Sequence, residues 1–120
     1  MEFHREEIRT GLVAIKFSIQ EGDLVIGWAY LYVLKNDRHP EPYGFLENVY
    51  IEKAFRGKGI GTRFIRDVIE EAKKQGCYKL IGNSRTSNES AHAFYERFGF
   101  RKHGFEFRMD LIDSKPLQQD

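Results

Sequence analysis

The sequence predicts an α/β chain, a mixed sheet with two main helices, and three observations carry that prediction. Two apolar, strand-like runs come first, parted by a single turn-rich stretch. A strand–helix–strand–helix order follows, its helical stretches marked by apolar residues at a 3.6-residue period. A glycine-rich turn, Arg56-Gly57-Lys58-Gly59-Ile60-Gly61, joins the strand and helix at the centre of that order.

Taken in order, Leu12 to Ile19 and Leu24 to Leu34 read as strands, with Gln20-Glu21-Gly22-Asp23 as their hairpin connection. In the second strand Trp28, Tyr30 and Tyr32 alternate with Ala29, Leu31 and Val33, which predicts that both faces are covered. Lys35 to Gly44 is a loop, because Pro40 and Pro42 cannot donate to a ladder. Phe45 to Ile51 is the third strand. Its two-residue period puts Glu47, Val49 and Ile51 on one face and Leu46, Asn48 and Tyr50 on the other. Ile60, Phe64, Ile65, Val68, Ile69 and Ala72 form the apolar stripe of the first helix, which Gly76 stops. Tyr78 to Gly82 reads as a short buried strand. Thr86-x-x-Glu89 is a capping-box pattern for a second helix that turns Ala91, Phe94, Tyr95 and Phe98 inward and ends at Gly99. Phe100 to Lys102 and Phe105 to Leu111 suit a closing hairpin around His103-Gly104. The whole is expected to be one domain, residues 1–113, with a loose polar tail, 114–120.

Bulk properties set limits. With 19 basic and 18 acidic side chains the net charge is +1, so composition carries no nucleic-acid footprint. The single cysteine, Cys77, excludes an internal disulfide and any Cys-based metal site, and reads as core packing. His39, His92 and His103 are scattered without metal-ligand spacing, so no metal is expected. The longest apolar run, Leu24 to Leu34, is about half the ~20 residues a bilayer requires. No charged-then-apolar leader opens the chain. A cytoplasmic protein without membrane or nucleic-acid partners is the expectation.

The glycine turn points to chemistry. Closely spaced glycines let a backbone bend sharply and approach a ligand. A helix starting there aims unpaired N–H groups and the positive end of its dipole at the same spot, as a phosphate or pyrophosphate cradle does. The spacing is not that of a nucleotide P-loop, since no G-x-x-x-x-G-K-[ST] string occurs. It also fails the dinucleotide fingerprint: Gly61 falls one residue early, and the acid expected about 20 positions on is replaced by apolar residues at Leu80 to Gly82.

What matches is [RQ]-x-x-G-x-[GA]. The run Val49-Tyr50-Ile51-Glu52-Lys53-Ala54-Phe55-Arg56-Gly57-Lys58-Gly59-Ile60-Gly61 resembles the acyl-CoA motif of the GNAT superfamily of N-acetyltransferases. A second stretch, Asn88-Glu89-Ser90-Ala91-His92-Ala93-Phe94-Tyr95-Glu96-Arg97-Phe98-Gly99-Phe100, resembles that family's N-x-x-A-x-x-x-Y-x-x-x-G-F segment. The resemblance covers roughly residues 12–110. It implies a mostly antiparallel central sheet with a V-shaped splay between two parallel strands. It also implies direct acetyl transfer from acetyl-CoA to a primary amine, of a small molecule or a protein. The family usually begins with a strand and two helices beside the acceptor site. Only about ten residues, Met1 to Thr10, precede the first strand here, too few for that unit given helix rise. The acceptor site is then open, or completed by a large substrate or by the second subunit of a homodimer.

The same resemblance assigns roles. The amides of Val49, Tyr50 and Ile51 hold the acetyl carbonyl and the pantetheine arm, pairing as an added strand does. Gly57, Lys58, Gly59, Ile60, Gly61 and Thr62 hold the pyrophosphate, with charge added by Arg56. Asn88 contacts pantetheine, although its place at a helix start is equally a cap. Tyr95 donates a proton to the departing sulfur, the acid a thiolate leaving group needs. Glu47 is the candidate base. A carboxylate on an otherwise apolar face is costly unless hydrated or paired, which is how perturbed bases arise. Other family members place the base on the later strand, but that position here is Asn83, which takes no proton. Two rival classes keep parts of this pattern: a CoA-binding regulatory module that transfers nothing, and an interaction protein that binds no coenzyme.

Overall fold

The computed structural model describes residues 1–8 and 11–117. Arg9 and Thr10, at the end of the segment expected before the first strand, and residues 118–120 of the expected tail lie outside the described residues. Two compact units divide the chain, one ending at Gly82 and the other starting at Asn83.

The first unit holds β1 (Val13–Glu21), β2 (Leu24–Leu34), β3 (Tyr43–Ile51), α1 (Ile60–Lys74) and β4 (Leu80–Gly82), with one 3₁₀ turn at Lys53–Phe55. The sheet order is β1-β2-β3-β4. The first three strands are antiparallel, and β3 and β4 are parallel across the α1 crossover. This is the mixed α/β sheet that the order of elements predicts.

Burial follows the alternation of β2. Ala29 and Leu31 are fully buried and Val33 nearly so, on the face where α1 sets Phe64, Ile65, Val68 and Ala72. The Phe64 ring comes within 3.2 Å of where a Cβ on Gly27 would stand, so helix and sheet are in van der Waals contact. On the opposite face Trp28 is buried, but Tyr30 and Tyr32 are half-buried, their rings parallel at 6.4 Å. That face is therefore covered only in part, where the alternation predicts cover on both.

Strand ends shift for local reasons. β1 runs on through Glu21, which contracts the connection to Gly22-Asp23. β3 starts at Tyr43, because the Gly44 amide donates to the Lys79 carbonyl at 2.9 Å and draws the end of the loop into the sheet. A side chain at Gly44 has no room: its Cβ would meet Leu31 Cδ1 and Leu80 Cδ1, each at 3.0 Å. β4 is shorter than expected and is not buried, since it is the edge of the sheet and leaves Tyr78 and Ile81 exposed.

Helix ends are set by hydrogen bonding. After Lys74 the Gly76 amide donates to Lys73 and the Cys77 amide to Ala72, a Schellman closure that satisfies two terminal carbonyls. Cys77 then lies half-buried, with its Sγ 3.7 Å from where a Gly44 Cβ would be.

In the second unit α2 spans Glu89–Glu96. Its cap is Asn88, whose Oδ1 accepts from the Ala91 amide at 3.2 Å, so the Thr86-x-x-Glu89 box does not form. The nearer side chain reaches the orphan N–H first. The expected closing hairpin is also absent among the described residues. Residues 105–111 carry the strand alternation, yet Phe105, Phe107, Met109 and Leu111 are exposed and no strand pairs with them.

Leu31→Ala removes a fully buried side chain between β-sheet and helix. It is expected to cost about 2–5 kcal/mol, read as a lower urea midpoint at unchanged m-value. A loss within about 0.5 kcal/mol would remove this contact from the core.

Candidate active site

The second half of β3 departs from a regular strand. Tyr30 pairs with Glu47 and Trp28 with Tyr50, so Ala29 of β2 faces both Asn48 and Val49. Asn48 sits at φ 56, alone among the described non-glycine residues in the left-handed region. This is a β-bulge, which bends the strand and disrupts pairing locally. It also reverses the alternation. Glu47 and Tyr50 now share the face of Tyr30 and Trp28, while Leu46 and Ile51 share the other, which corrects the two-residue reading of this strand.

The parallel ladder with β4 covers only Gly44, Phe45 and Leu46. From Glu47 to Ile51, no strand among the described residues pairs with that edge of β3. The edge holding Val49, Tyr50 and Ile51 thus carries no ladder pairing among the described residues, which is the condition for strand addition. Beyond it, the Glu52 amide donates to the Ile26 carbonyl at 2.7 Å and pins the end of the strand.

The chain then turns through Lys53–Phe55 into the glycines. Gly57 and Gly59 have φ of 78 and 83, and a Cβ on either would meet nothing within 4 Å. The turn requires glycine for its backbone angles and faces open space. Gly59 is the N-cap of α1, with no side-chain cap and no acidic residue in the first turn. The first helical bond runs from the Arg63 amide to the Gly59 carbonyl. The amides of Ile60, Gly61 and Thr62 precede it, unspent within the helix, so the helix start favours an anion.

Two cations flank this opening, and both rest on aromatic rings. Arg56 donates from Nε to the Ile51 carbonyl at 2.8 Å, and its guanidinium lies 5.5 Å from the Tyr50 ring centre. Lys58 Nζ lies 5.2 Å from the Phe55 ring. Both side chains are exposed.

Glu47 is exposed on the aromatic face beside Tyr30. The expectation of a carboxylate stranded on an apolar face is therefore corrected: the bulge puts Tyr50 rather than Val49 and Ile51 on the face of Glu47, and the carboxylate is exposed. Lys16 Nζ stands 5.7 Å from the same Tyr30 ring.

In the second unit Asn88 and Tyr95 lie at opposite ends of α2. Asn88 Oδ1 accepts from the Ala91 amide and from Ser90 Oγ. Tyr95 is half-buried, edge-on to Phe94 at 5.6 Å and to Phe100 at 5.5 Å. That burial pushes its phenol above the ordinary value of about 10, so the proton stays on oxygen at neutral pH. His92 Nε2 pairs with the Arg85 carbonyl at 2.8 Å, tying the helix to the preceding loop. No group of three or more His, Cys, Asp or Glu able to hold a metal occurs among the described residues.

A family profile described as Acetyltransferase (GNAT) matches residues 2–100. The chain belongs to the GNAT acetyltransferase family. As a GNAT member it is an acyltransferase, and the family's acyl donor is acetyl-CoA. It is 36% identical over 104 residues to a glucosamine 6-phosphate N-acetyltransferase of Trypanosoma brucei brucei, spanning 86% of this chain and 69% of that protein. It is 34% identical over 89 residues to glucosamine 6-phosphate N-acetyltransferase 1 of rice, spanning 74% of this chain but only 52% of that one. Among solved structures, a putative acetyltransferase of Agrobacterium tumefaciens superposes with a TM-score of 0.70 at 36% identity, covering 84% of this chain and 71% of that chain. The GNAT relatives confirm the mixed fold.

The bulge and the Tyr50 ring under Arg56 escaped the sequence reading. One signal was present: asparagine is among the few residues that enter the left-handed region readily.

Gly59→Ala forces a side chain into φ 83 with no clash to relieve. A loss of about 1–2 kcal/mol from backbone strain is expected in chemical denaturation. An unchanged midpoint would mean the turn relaxes without glycine.

Proposed function

We propose that this chain is an N-acetyltransferase that moves an acetyl group from acetyl-CoA directly to a primary amine, using residues within 1–113. One observation carries the reading. The unpaired edge of β3 leads straight to a glycine turn and an uncapped helix start, all on one stretch from Val49 to Thr62. An extended pantetheine arm fits the first, and a diphosphate fits the second. In this reading the amides of Val49, Tyr50 and Ile51 take the acetyl carbonyl and the arm. Gly57 to Thr62, with Arg56, take the pyrophosphate, and Asn88 contacts the arm.

The thioester supplies an acyl group on a good leaving sulfur. The chain must supply a base, an acid and fixed dipoles. Glu47 accepts the amine's proton, directly or through one water, which its exposure permits. The amine nitrogen then bonds to the carbonyl carbon while β3 amides hold the oxyanion. As the C–S bond breaks, Tyr95 Oη gives its proton to the sulfur; the newly acylated nitrogen releases its extra proton to solvent, and solvent reprotonates the phenolate, leaving a neutral amide and free CoA thiol. The raised phenol is suited to that role, because it still carries its proton at neutral pH.

For the acceptor we propose the amino group of a hexosamine phosphate, the substrate that the names of the Trypanosoma and rice relatives state. The partly covered face of the sheet supports it. Tyr30 and Tyr32 offer flat surface for a sugar ring, Glu47 a carboxylate for its amine, and Lys16 a cation for its phosphate. A thiol-release assay with acetyl-CoA and an amine panel tests this. Glucosamine 6-phosphate should turn over faster than glucosamine, an aminoglycoside or a peptide amine. Faster peptide turnover would overturn the acceptor assignment, and coenzyme binding without thiol release from any amine would favour a silent regulatory module.

Tyr95→Phe should lower kcat by about 10²-fold with the KM for acetyl-CoA little changed; full activity would remove Tyr95 as the acid. Because burial raises the phenol, the wild-type alkaline fall in kcat assigned to it should lie above pH ~10 and vanish in this variant. Glu47→Gln should flatten the acidic limb of the rate–pH profile, and an intact limb would exclude Glu47 as the base.

A further inference from the structure

We propose that the Tyr50 side chain is a positioning residue for coenzyme binding: backed by Trp28, its ring holds Arg56 as a fixed fork beside the glycine turn. The inference rests on the coenzyme reading above and deepens it. Its subject is the Tyr50 ring, not the Tyr50 amide.

Three contacts build the device. The Trp28 indole is buried and lies 4.8 Å from the Tyr50 ring at an interplanar angle of 33°. The other partner of the Tyr50 ring is the Arg56 guanidinium, 5.5 Å from its centre. Arg56 Nε is spent on the Ile51 carbonyl at 2.8 Å, which fixes one edge of the planar group. A ring at one side and a carbonyl at one edge remove most of the freedom of an otherwise exposed side chain. The remaining N–H donors of Arg56 have no partner among the described residues. They belong to a group whose fork suits phosphate oxygens bidentately.

The bulge is what makes this possible. In a regular strand Tyr50 falls on the face of Leu46, away from Trp28. The extra residue at Asn48–Val49 rotates it to stand opposite Trp28 instead. A mobile arginine loses side-chain entropy when it grips an anion. An arginine already held loses less, so the benefit of the ring appears in affinity rather than in the chemical step.

A double-substitution cycle tests it, read by titration calorimetry with CoA, with KM and kcat for acetyl-CoA alongside. Tyr50→Leu should weaken CoA binding by about three- to tenfold and raise KM while kcat holds within about twofold. Tyr50→Phe keeps the ring and should bind like wild type. In an Arg56→Gln background, Tyr50→Leu should change affinity by less than about twofold, because the two act as one unit. Equal losses in both backgrounds would overturn the inference, as would a Tyr50→Phe loss matching that of Tyr50→Leu, which would shift the role to the hydroxyl beside Glu52. If Tyr50→Leu does not fold, the isotope-labelled Nε–H resonance of Arg56 in Tyr50→Phe and wild type decides. Slow exchange with solvent in both supports the fork, and fast exchange in wild type refutes it. Absence of any CoA binding by wild type would overturn the coenzyme reading itself, a result distinct from an additive cycle.

Discussion

The bulge at Asn48–Val49 governs the rest of the candidate site. Asn48 holds a left-handed backbone inside a strand, an arrangement that costs free energy and persists only where the surroundings fix it. Here they do. The ladder with β2 is intact on both sides, at Glu47 and at Tyr50, and the Glu52 amide is tied to Ile26 just beyond. One extra residue between two fixed points leaves the strand no choice but to bow. The bow turns Tyr50 onto Trp28, on the same face as Glu47. Among the described residues, no strand pairs with the far edge of that same stretch.

Charge is handled by the backbone more than by side chains. The first unit brings an uncapped helix start, open space over Gly57 and Gly59, and two cations braced on rings to one short stretch. None of these groups is buried, so none carries a large desolvation cost before a ligand arrives. Tyr95 differs: it is half-buried among Phe94 and Phe100, and that burial raises its phenol further above neutral pH. Dipoles suit an anion that must come and go, whereas a guarded proton suits a group that must deliver one.

The fold was legible where burial imposes a period. Phe64, Ile65, Val68 and Ala72 of the helical stripe are buried, while Ile60 and Ile69 are not, and of the two faces that the β2 alternation set out, Ala29, Leu31 and Val33 are all buried and Trp28 alone on the other. The glycine turn and Asn88 were legible as well, since a strand-to-helix turn and a helix cap each need particular residue types. The faces of β3 were not, because period-two counting assumes no extra residue, and a single bulge inverts everything after it. Nor did alternation in residues 105–111 guarantee a hairpin: a pattern states which side chains share a face, but pairing needs a second strand in reach. The proposed acceptor face was the least legible part, because Lys16, Tyr30, Tyr32 and Glu47 come from three strands and are brought together only across the ladder.

Trp28 is the one tryptophan in the chain, and it lies against Tyr50. Nature has thus set the sole indole chromophore at the bend of the strand. Light absorbed selectively by tryptophan reports from this spot and from nowhere else in the protein. Emission colour and anisotropy therefore follow the packing behind Arg56 without any label, in a molecule whose other fluorescent side chains are phenylalanine and tyrosine.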